Sequence, residues 1–128
     1  MASLDYTEYT RISCDAAGET HFDMVTVALR LTNFAPPAAP FAIADFMPAT
    51  RFAFCAPAAG WYGDWHPTPQ RQLFLILRGV WRVTVSDGET RDFGPGSAVL
   101  LEDTTGKGHL TQIVSDEAGL AGVVQFPD

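Results

Sequence analysis

The sequence predicts an all-β protein, either a sandwich or a barrel, from three observations. Short runs of apolar or alternating residues follow one another from Gln72 to the end of the chain. Turn sequences such as Asp87-Gly88 and Gly94-Pro95-Gly96 separate these runs. No stretch in this part has the apolar period of a helix. Short strands at regular spacing, with glycine turns between them, are typical of all-β sandwiches and barrels.

The composition fits one domain and excludes several kinds of protein. A chain of 128 residues can bury a core without disulfide bridges. An apolar content of 47% and a charged content of 18% exclude a disordered chain. The net charge of -7 makes nucleic acids and anionic membrane surfaces unfavourable partners. Without a signal-like or membrane-spanning apolar run, a cytoplasmic location is expected, with Cys14 and Cys55 as reduced thiols.

Residues 1–59 are expected to form N-terminal strands and a proline-rich arm. Residues 1–20 are polar and lack a helical period, and residues 22–31 are rich in β-forming side chains and predict a strand. Residues 33–57 hold five of the nine prolines, which excludes a long helix or a central strand there. This segment is too aromatic for a solvated linker. We therefore expect an extended arm laid over a barrel, with a strand at residues 51–55.

A polar stripe leads into the next strand. His66 and Thr68 each precede a proline, which drives both residues to extended backbone. Side chains alternate in an extended chain, so His66, Thr68, Gln70 and Gln72 should point the same way. Polar groups on one face, running into an apolar strand, predict a pocket at the mouth of a barrel.

The strand predicted at residues 72–78 is apolar on both faces. Such a strand should be covered on both sides, like the buried strands of layered proteins. The cover must come from the N-terminal arm or from a second subunit. A homodimer is therefore the expected assembly.

Five more strands are predicted in the second half of the chain, at residues 80–85, 90–93, 97–101, 109–114 and 120–126. Asp87-Gly88 between the first two is a strong signal for a hairpin. Residues 102–108 form a polar loop, interpreted as a solvated turn that shapes the rim of the barrel.

Two motifs in residues 60–126 resemble those of the cupin superfamily. Gly60, His66, Gln72 and Gly79 fit the frame of the first motif, and Pro95-Gly96 with Gly106-Lys107-Gly108-His109 fits the two ends of the second. The resemblance is with small single-domain bacterial cupins. It implies an antiparallel jelly-roll β-barrel (a double-stranded β-helix), one domain over residues 1–128 with its barrel core at 60–126, and a homodimer.

The resemblance also implies one divalent transition metal, Zn, Fe, Ni or Mn, at His66, Gln72 and His109. Thr68 stands where the family has a second histidine and Gln72 where it has glutamate, which leaves two imidazoles and an amide. Glu102 or Asp103 could add a carboxylate if the loop folds inward. Without metal, His66 or His109 is a candidate general base, as in metal-free sugar epimerases of this fold. The sequence identifies no carboxylate to orient it.

The expected function is therefore that of a cupin with a small-molecule pocket. Trp65 and Phe74 are candidate stacking residues, Arg78 could pair with a ligand carboxylate, and Glu102 completes the candidate ligand-binding set. The expected activity is that of an isomerase, dioxygenase or lyase acting on a small organic acid or sugar. The alternative is a non-catalytic module that binds a small metabolite at a vestigial metal site. One fold hosts many activities, so both remain open.

Overall fold

A computed structural model describes residues 4–128, and this part of the chain is built from strands and turns. The strands are β1 (Tyr6–Cys14), β2 (Thr20–Ala28), β3 (Arg30–Thr32), β4 (Phe41–Ile43), β5 (Arg51–Cys55), β6 (Gln72–Arg78), β7 (Trp81–Val85), β8 (Thr90–Phe93), β9 (Ala98–Leu101), β10 (His109–Ile113) and β11 (Leu120–Gln125). The all-β prediction is confirmed. No helix within residues 4–128 has the length and apolarity of a membrane span.

The strands form two larger sheets and one small ribbon. Six strands pair in the order β2-β1-β9-β6-β11-β5, in which β1 and β9 run parallel and all other neighbours antiparallel. Three strands pair in the order β10-β7-β8, and β3 pairs only with β4. Side chains of both larger sheets, such as Ile12 and Val99 from one and Val83 and Phe93 from the other, form one buried core. The core therefore lies between the two sheets.

Most strands after residue 50 lie where the sequence predicts them. The bounds of β5, β6 and β8 match the prediction, and those of β7, β9, β10 and β11 differ by one residue. The Asp87-Gly88 turn closes the β7–β8 hairpin with hydrogen bonds between the backbones of Val85 and Glu89 (3.0 Å) and of Gly88 and Val85 (3.0 Å). Alternation and turn chemistry were sufficient to locate these elements.

The first strand was missed by sequence reasoning. β1 is a nine-residue strand, and of its side chains only those of Thr10 and Ile12 are buried. The sequence of β1 is polar because much of the strand faces solvent, and only a few of its side chains reach the core. The strand predicted at residues 22–31 starts two residues earlier, as β2, and is interrupted before β3.

The prediction that the proline-rich arm lies over a barrel is wrong for the single chain. β3 and β4 form a two-stranded ribbon, in which the Phe34 ring contacts the rings of Phe41 (5.5 Å between centroids) and Phe46 (6.0 Å). These three side chains remain exposed. The prolines allow only short strand pairing here, so the arm packs on itself rather than on the larger sheets.

Candidate functional site

A cavity of about 210 Å³ lies between the two larger sheets. Inward-facing side chains of β6 and β9, such as Phe74 and Val99, form one wall, and side chains of β7 and β10, such as Val83 and Thr111, form the other. Among residues 4–128, no Lys, Arg, Asp or Glu side chain lines this cavity. Its polar groups are grouped around two histidines, and most of the remaining lining is aliphatic or aromatic.

The two histidines of the predicted motifs meet at the wall of this cavity. His66 and His109 are joined by two backbone hydrogen bonds of 3.0 Å, and their ring centroids are 5.0 Å apart. His66 precedes β6 of the six-stranded sheet, and His109 begins β10 of the three-stranded sheet. This bridge therefore connects the two sheets. The resemblance implies this meeting of the two motifs, and the structure brings His66 and His109 to one wall of the cavity.

Asp103 is the carboxylate that the sequence did not identify. Its Oδ2 lies 2.6 Å from Nδ1 of His109, and both side chains are buried, with Asp103 fully inaccessible. A carboxylate oxygen only accepts, so Nδ1 of His109 carries the proton, and Nε2, on the opposite side of the ring, is left to face the cavity. The second oxygen of Asp103 has no hydrogen-bond partner in the described chain. Asp103 therefore orients His109.

His66 is held in a similar way, by a backbone group. Its Nδ1 lies 2.9 Å from the carbonyl oxygen of Asp64, which only accepts, so Nδ1 again donates and Nε2 is free. Asp64 has a left-handed backbone (φ 57°), and its side chain accepts a hydrogen bond from the Trp65 amide at 2.8 Å. Both histidines thus present the same ring nitrogen.

The loops that carry the two histidines can approach because residue 108 is glycine. Gly108 has φ +76°, and a Cβ there would lie 2.2 Å from the carbonyl carbon of His66. The buried Thr20 hydroxyl donates to the Gly108 carbonyl oxygen at 2.7 Å. On the other side, the Thr68 amide donates to the Asp103 carbonyl oxygen at 3.0 Å. Backbone contacts therefore hold the Asp103–His109 loop from both sides.

Gln72 faces the cavity, but its amide is already hydrogen-bonded. Arg51 donates twice to Oε1 of Gln125, at 2.9 and 2.7 Å, and arginine has no acceptor. Gln125 must then donate from Nε2 to Oε1 of Gln72 (2.9 Å), and Gln72 donates from Nε2 to the Thr68 hydroxyl (3.1 Å). Because arginine can only donate, it fixes the direction of each hydrogen bond in this series, and the carbonyl oxygen of Gln72 therefore accepts from Gln125.

The residues predicted to hold a metal do not fit one. A metal site in a protein of this kind needs three or four nitrogen, sulfur or carboxylate ligands. His66 and His109 supply two, the Gln72 oxygen is hydrogen-bonded elsewhere, and Asp103 is bound to the far nitrogen of His109. No group of three or more His, Cys, Asp or Glu side chains within residues 4–128 could hold a metal ion.

Three of the predicted ligand-binding residues lie outside the cavity, and Phe74 lies within it. Trp65 is exposed, and Glu102 pairs with Arg71 at 2.6 Å. Arg78 is exposed and forms no ion pair with another described residue. Trp81 closes the cavity below it, with its indole nitrogen donating to the Arg78 carbonyl oxygen at 3.1 Å. The shared parity of Arg78 with Phe74 therefore does not bring it into the cavity.

The polar stripe is interrupted at its third member. His66, Thr68 and Gln72 line the cavity, whereas the chain bends at Pro69 and Gln70, and Gln70 donates to the Phe126 carbonyl oxygen at 3.0 Å. The loop at residues 102–108 also differs from its interpretation as a solvated turn, because Asp103 is buried within it. One feature of the sequence could have indicated that Asp103 points inward. In the alternation of strand residues, Asp103 falls on the same side as Val99 and Leu101, which face the cavity.

Several titratable groups outside the histidine pair have shifted pKa values, among them His21, Asp15 and Cys55. His21 is hydrogen-bonded to Asp15 and Asp87, both at 2.8 Å, and these carboxylates raise the pKa of His21, Asp15 having the larger effect. The same contact lowers the pKa of Asp15. Burial raises the pKa of the Cys55 thiol, which lines the cavity. Cys14 and Cys55 are both free thiols, as expected.

Several solved structures are similar to this chain in fold. A cupin 2 conserved barrel domain protein from Salinispora arenicola is 22% identical, with 79% of this chain and 76% of that chain covered and a TM-score of 0.49. A conserved protein of unknown function from Streptococcus pyogenes is 22% identical, with 60% and 64% covered and a TM-score of 0.46. This chain thus spans less than two thirds of the Streptococcus protein.

The capsular polysaccharide assembling protein CapF from Staphylococcus aureus is 13% identical, with 90% of this chain but 29% of that chain covered and a TM-score of 0.43. No family model matches the sequence, and no curated protein is significantly similar to it. At these identities the likenesses concern the fold alone, so no residue role follows from them.

Proposed function

We propose that this chain is a small-molecule cupin in which His109, oriented by Asp103, acts as a general acid–base on a neutral carbonyl compound. One observation carries the proposal. The 2.6 Å hydrogen bond between Nδ1 of His109 and Oδ2 of Asp103 is buried, and His109 lines the cavity. A histidine held by a buried carboxylate, with its other nitrogen free, is the arrangement that general-base catalysis uses.

The proposed reaction is an isomerisation or epimerisation by proton transfer. Nε2 of His109 takes a proton from the carbon next to a carbonyl group, and the electron pair of that C–H bond moves into the enolate. For epimerisation the proton is returned to the opposite face of the same carbon, and for isomerisation of an enone it is returned to the γ-carbon of the dienolate. His66, 5.0 Å away between ring centroids, is the second group that can give or take a proton. The step balances without an oxidant or a cofactor.

The lining of the cavity favours a substrate with one polar group on an apolar body. A carboxylate or phosphate would be buried beside no Lys or Arg, which is unfavourable. A sugar would bring several hydroxyl groups against side chains such as Phe74, Val83 and Phe93, where they find no partners. A ketone, an enone or a lactone suits the lining better than the small organic acid or sugar that the resemblance suggested. The Thr111 hydroxyl, on the same face of β10 as His109, is an additional donor in the lining.

The proposal includes the barrel itself. We propose that the two larger sheets are the halves of a jelly-roll barrel whose mouth lies at the histidine pair. The His66–His109 bridge and a second bridge between Tyr62 and Gln112 support this, since both connect the segment before β6 with a strand of the other sheet. A ligand would enter beside these bridges.

Proton exchange in D2O tests the proposal without knowledge of the substrate. The protein is incubated with a panel of small neutral ketones, enones and lactones, and NMR follows the loss of the α-proton signal. Asp103→Asn should slow the exchange about 100- to 10,000-fold, because the amide no longer holds His109 in the required tautomer. Asp92→Asn, which changes an exposed aspartate paired with Arg82, is the control and should leave the exchange unchanged.

The same experiment separates catalysis from binding alone. If a panel member shifts the NMR signals of cavity residues but exchanges no proton, the chain is a binding module and the catalytic proposal fails. An acidic or sugar substrate that exchanges faster than every neutral compound would overturn the substrate class. Stoichiometric metal in protein purified without a tag would overturn the assignment of the histidines as free bases.

A further inference from the structure

The hydroxyl group of Thr111 is a buried polar group without a partner in the described chain. Thr111 lies on β10, two residues after His109, and both side chains line the cavity. Thr111 is 9% exposed, and its hydroxyl group makes no hydrogen bond to any residue within 4–128. Buried polar side chains are usually hydrogen-bonded, because burying a hydroxyl group without a partner is unfavourable. This hydroxyl group therefore points to a ligand.

Other polar side chains of the lining already have partners. The Thr68 hydroxyl donates to a backbone carbonyl oxygen at 2.8 Å and accepts from Gln72 at 3.1 Å. The carbonyl oxygen of Gln72 accepts from Gln125 at 2.9 Å. Nε2 of the two histidines and the hydroxyl of Thr111 are therefore the atoms of this lining that remain for the polar group of a ligand.

Backbone contacts on both edges of β10 fix the position of Thr111. On one edge, Thr111 pairs with Val83 of β7. On the other, the Gly63 amide donates to the Thr111 carbonyl oxygen at 2.8 Å. A Cβ at residue 63 would lie 3.1 Å from that oxygen, so glycine permits this close approach. The hydroxyl group is thus carried by a strand held on both sides, which is the rigid support that a positioned donor needs.

The spacing of Thr111 and His109 suits one carbonyl compound that contacts both. Two residues along a strand span roughly 7 Å, and their side chains point the same way. A base approaches the carbon that loses the proton to about 3–3.5 Å, and a hydroxyl group donates to an oxygen at about 2.7–2.8 Å. The α-carbon and the carbonyl oxygen of a ketone are only two bonds apart. A ketone can therefore place its α-carbon at Nε2 of His109 and its oxygen at Thr111.

We propose that Thr111 is the oxyanion donor of this cavity, and that its hydroxyl group binds the carbonyl oxygen of a monocyclic ketone while His109 removes the α-proton. The inference rests on the proposed function and adds the orientation and the size of the substrate. As the electron pair of the C–H bond moves into the enolate, negative charge grows on the oxygen that Thr111 holds, and the hydroxyl proton stays on Thr111. A donor aimed at developing charge stabilises the transition state more than the ground state.

The cavity limits the body of the ketone to about one ring. Its volume is about 210 Å³, and an apolar cavity of about 150 Å³ is large enough for benzene. Phe74, Trp81 and Phe93 are part of the lining, where a ring would bury its apolar surface. Acetophenone, which is one aromatic ring with a methyl ketone, has this size and has α-protons that can exchange. It is therefore the probe for the experiment.

Infrared difference spectroscopy of bound acetophenone tests the contact. A hydrogen bond lowers the stretching frequency of a carbonyl group, so the carbonyl band should lie at a higher frequency in Thr111→Val than in the wild type. Valine has the shape of threonine without the hydroxyl group. Thr111→Ser keeps the hydroxyl group and should restore the wild-type frequency. Thr84→Val, which removes an exposed hydroxyl group bonded to Thr90 at 2.8 Å, is the matched control and should leave the band unchanged.

Exchange of the acetophenone α-protons in D2O tests the catalytic part. Thr111→Val should slow the exchange about 100- to 1,000-fold, which is the usual effect of removing one oxyanion donor. The loss should appear in kcat more than in KM, because the hydrogen bond strengthens as charge develops. Thr111→Ser should retain most of the rate, and Thr84→Val all of it.

Thermal unfolding separates a functional hydroxyl group from a structural one. Because the Thr111 hydroxyl has no partner within residues 4–128, Thr111→Val should melt at the temperature of the wild type or above it. A clearly lower melting temperature would show that the hydroxyl group stabilises the fold and would overturn the inference.

The failure of this inference and the failure of the proposed function give different results. If Thr111→Val keeps both the carbonyl frequency and the exchange rate of the wild type, the inference is wrong, and slowed exchange in Asp103→Asn leaves the proposed function standing. If the frequency depends on Thr111 but Asp103→Asn leaves the exchange unchanged, the proposed function is wrong and the Thr111 contact stands. A wild type that does not bind acetophenone at millimolar concentration would overturn the monocyclic ketone as the ligand.

Discussion

Replacing Gly108 by alanine should separate the two loops that carry the histidine pair. The added Cβ would lie 2.2 Å from the carbonyl carbon of His66, 2.3 Å from its oxygen and 2.4 Å from the nitrogen of Pro67. These are backbone atoms, so no side-chain rotation relieves the overlap. The loop before β6 must move away from the start of β10. This movement would break the two backbone hydrogen bonds between His66 and His109.

The expected loss of stability has two parts. A left-handed backbone costs an alanine about 1–2 kcal/mol. The two broken hydrogen bonds cost about 0.5–1.5 kcal/mol each, which gives about 2–5 kcal/mol in total with the backbone part. Gly60 provides the matched control, because its φ of +78° is nearly that of Gly108 (+76°) and a Cβ there meets nothing within 4 Å. Gly60→Ala should therefore show the backbone part alone.

Urea unfolding followed by tryptophan fluorescence measures both variants. Gly108→Ala should lose about 1–3 kcal/mol more free energy of unfolding than Gly60→Ala. At about 4 °C per kcal/mol, the difference in melting temperature is about 4–12 °C. Equal losses in the two variants would refute the close approach of the loops. A large loss with unchanged proton exchange would refute the link between this contact and the site.

Three further predictions concern the buried pair, the surface histidine and the metal. His109→Leu leaves the Asp103 carboxylate buried without its partner and should cost about 3–5 kcal/mol in urea unfolding, against about 1 kcal/mol for Asp103→Asn; similar losses would argue against the pairing. Asp15 and Asp87 raise the pKa of His21, so the contribution of His21 to stability is full below its ordinary pKa of 6.5 and is lost as the pH rises through the raised folded-state pKa. His21→Gln should abolish this decline in stability. A decline that persists in the variant excludes His21 as its source. Thr68→His with Gln72→Glu restores the ligands of the family motif and should gain stoichiometric divalent metal by elemental analysis, whereas equal metal in wild type and variant would contradict the ligand assignment.

The strand pattern could be predicted from the sequence because it depends on local rules. Alternation in β6 assigned Gln72, Phe74 and Ile76 to one face, and these side chains line the cavity. Such alternation is encoded within a few residues of chain. His66 and His109 are distant in the sequence, and only the resemblance led us to expect that they lie side by side.

The role of Asp103 and the course of the arm depend on contacts distant in sequence. The buried Asp103 side chain binds His109, and the Thr68 amide, from the segment before β6, binds the Asp103 carbonyl oxygen. A loop of two acids, two threonines and two glycines would otherwise read as solvated. The arm was expected to cover the barrel because its aromatic content required a partner. Composition shows that a partner is needed, but it does not distinguish the same chain from a second copy.

Thr68 and Gln72, the two positions at which the sequence departs from the motif that it resembles, make contacts of their own. Thr68 accepts a hydrogen bond from Gln72 through its hydroxyl and binds Asp103 through its amide. A histidine or glutamate that bound a metal would draw these groups toward the ion, away from the chain of hydrogen bonds that begins at Arg51. The backbone amide of residue 68 reaches Asp103 whatever the side chain, so this contact does not depend on threonine. The side chains of Thr68 and Gln72 instead determine the hydrogen bonds in which the Gln72 amide is engaged. The metal content of the protein and the effect of Asp103→Asn should therefore be measured together, because the first depends on these side chains and the second does not.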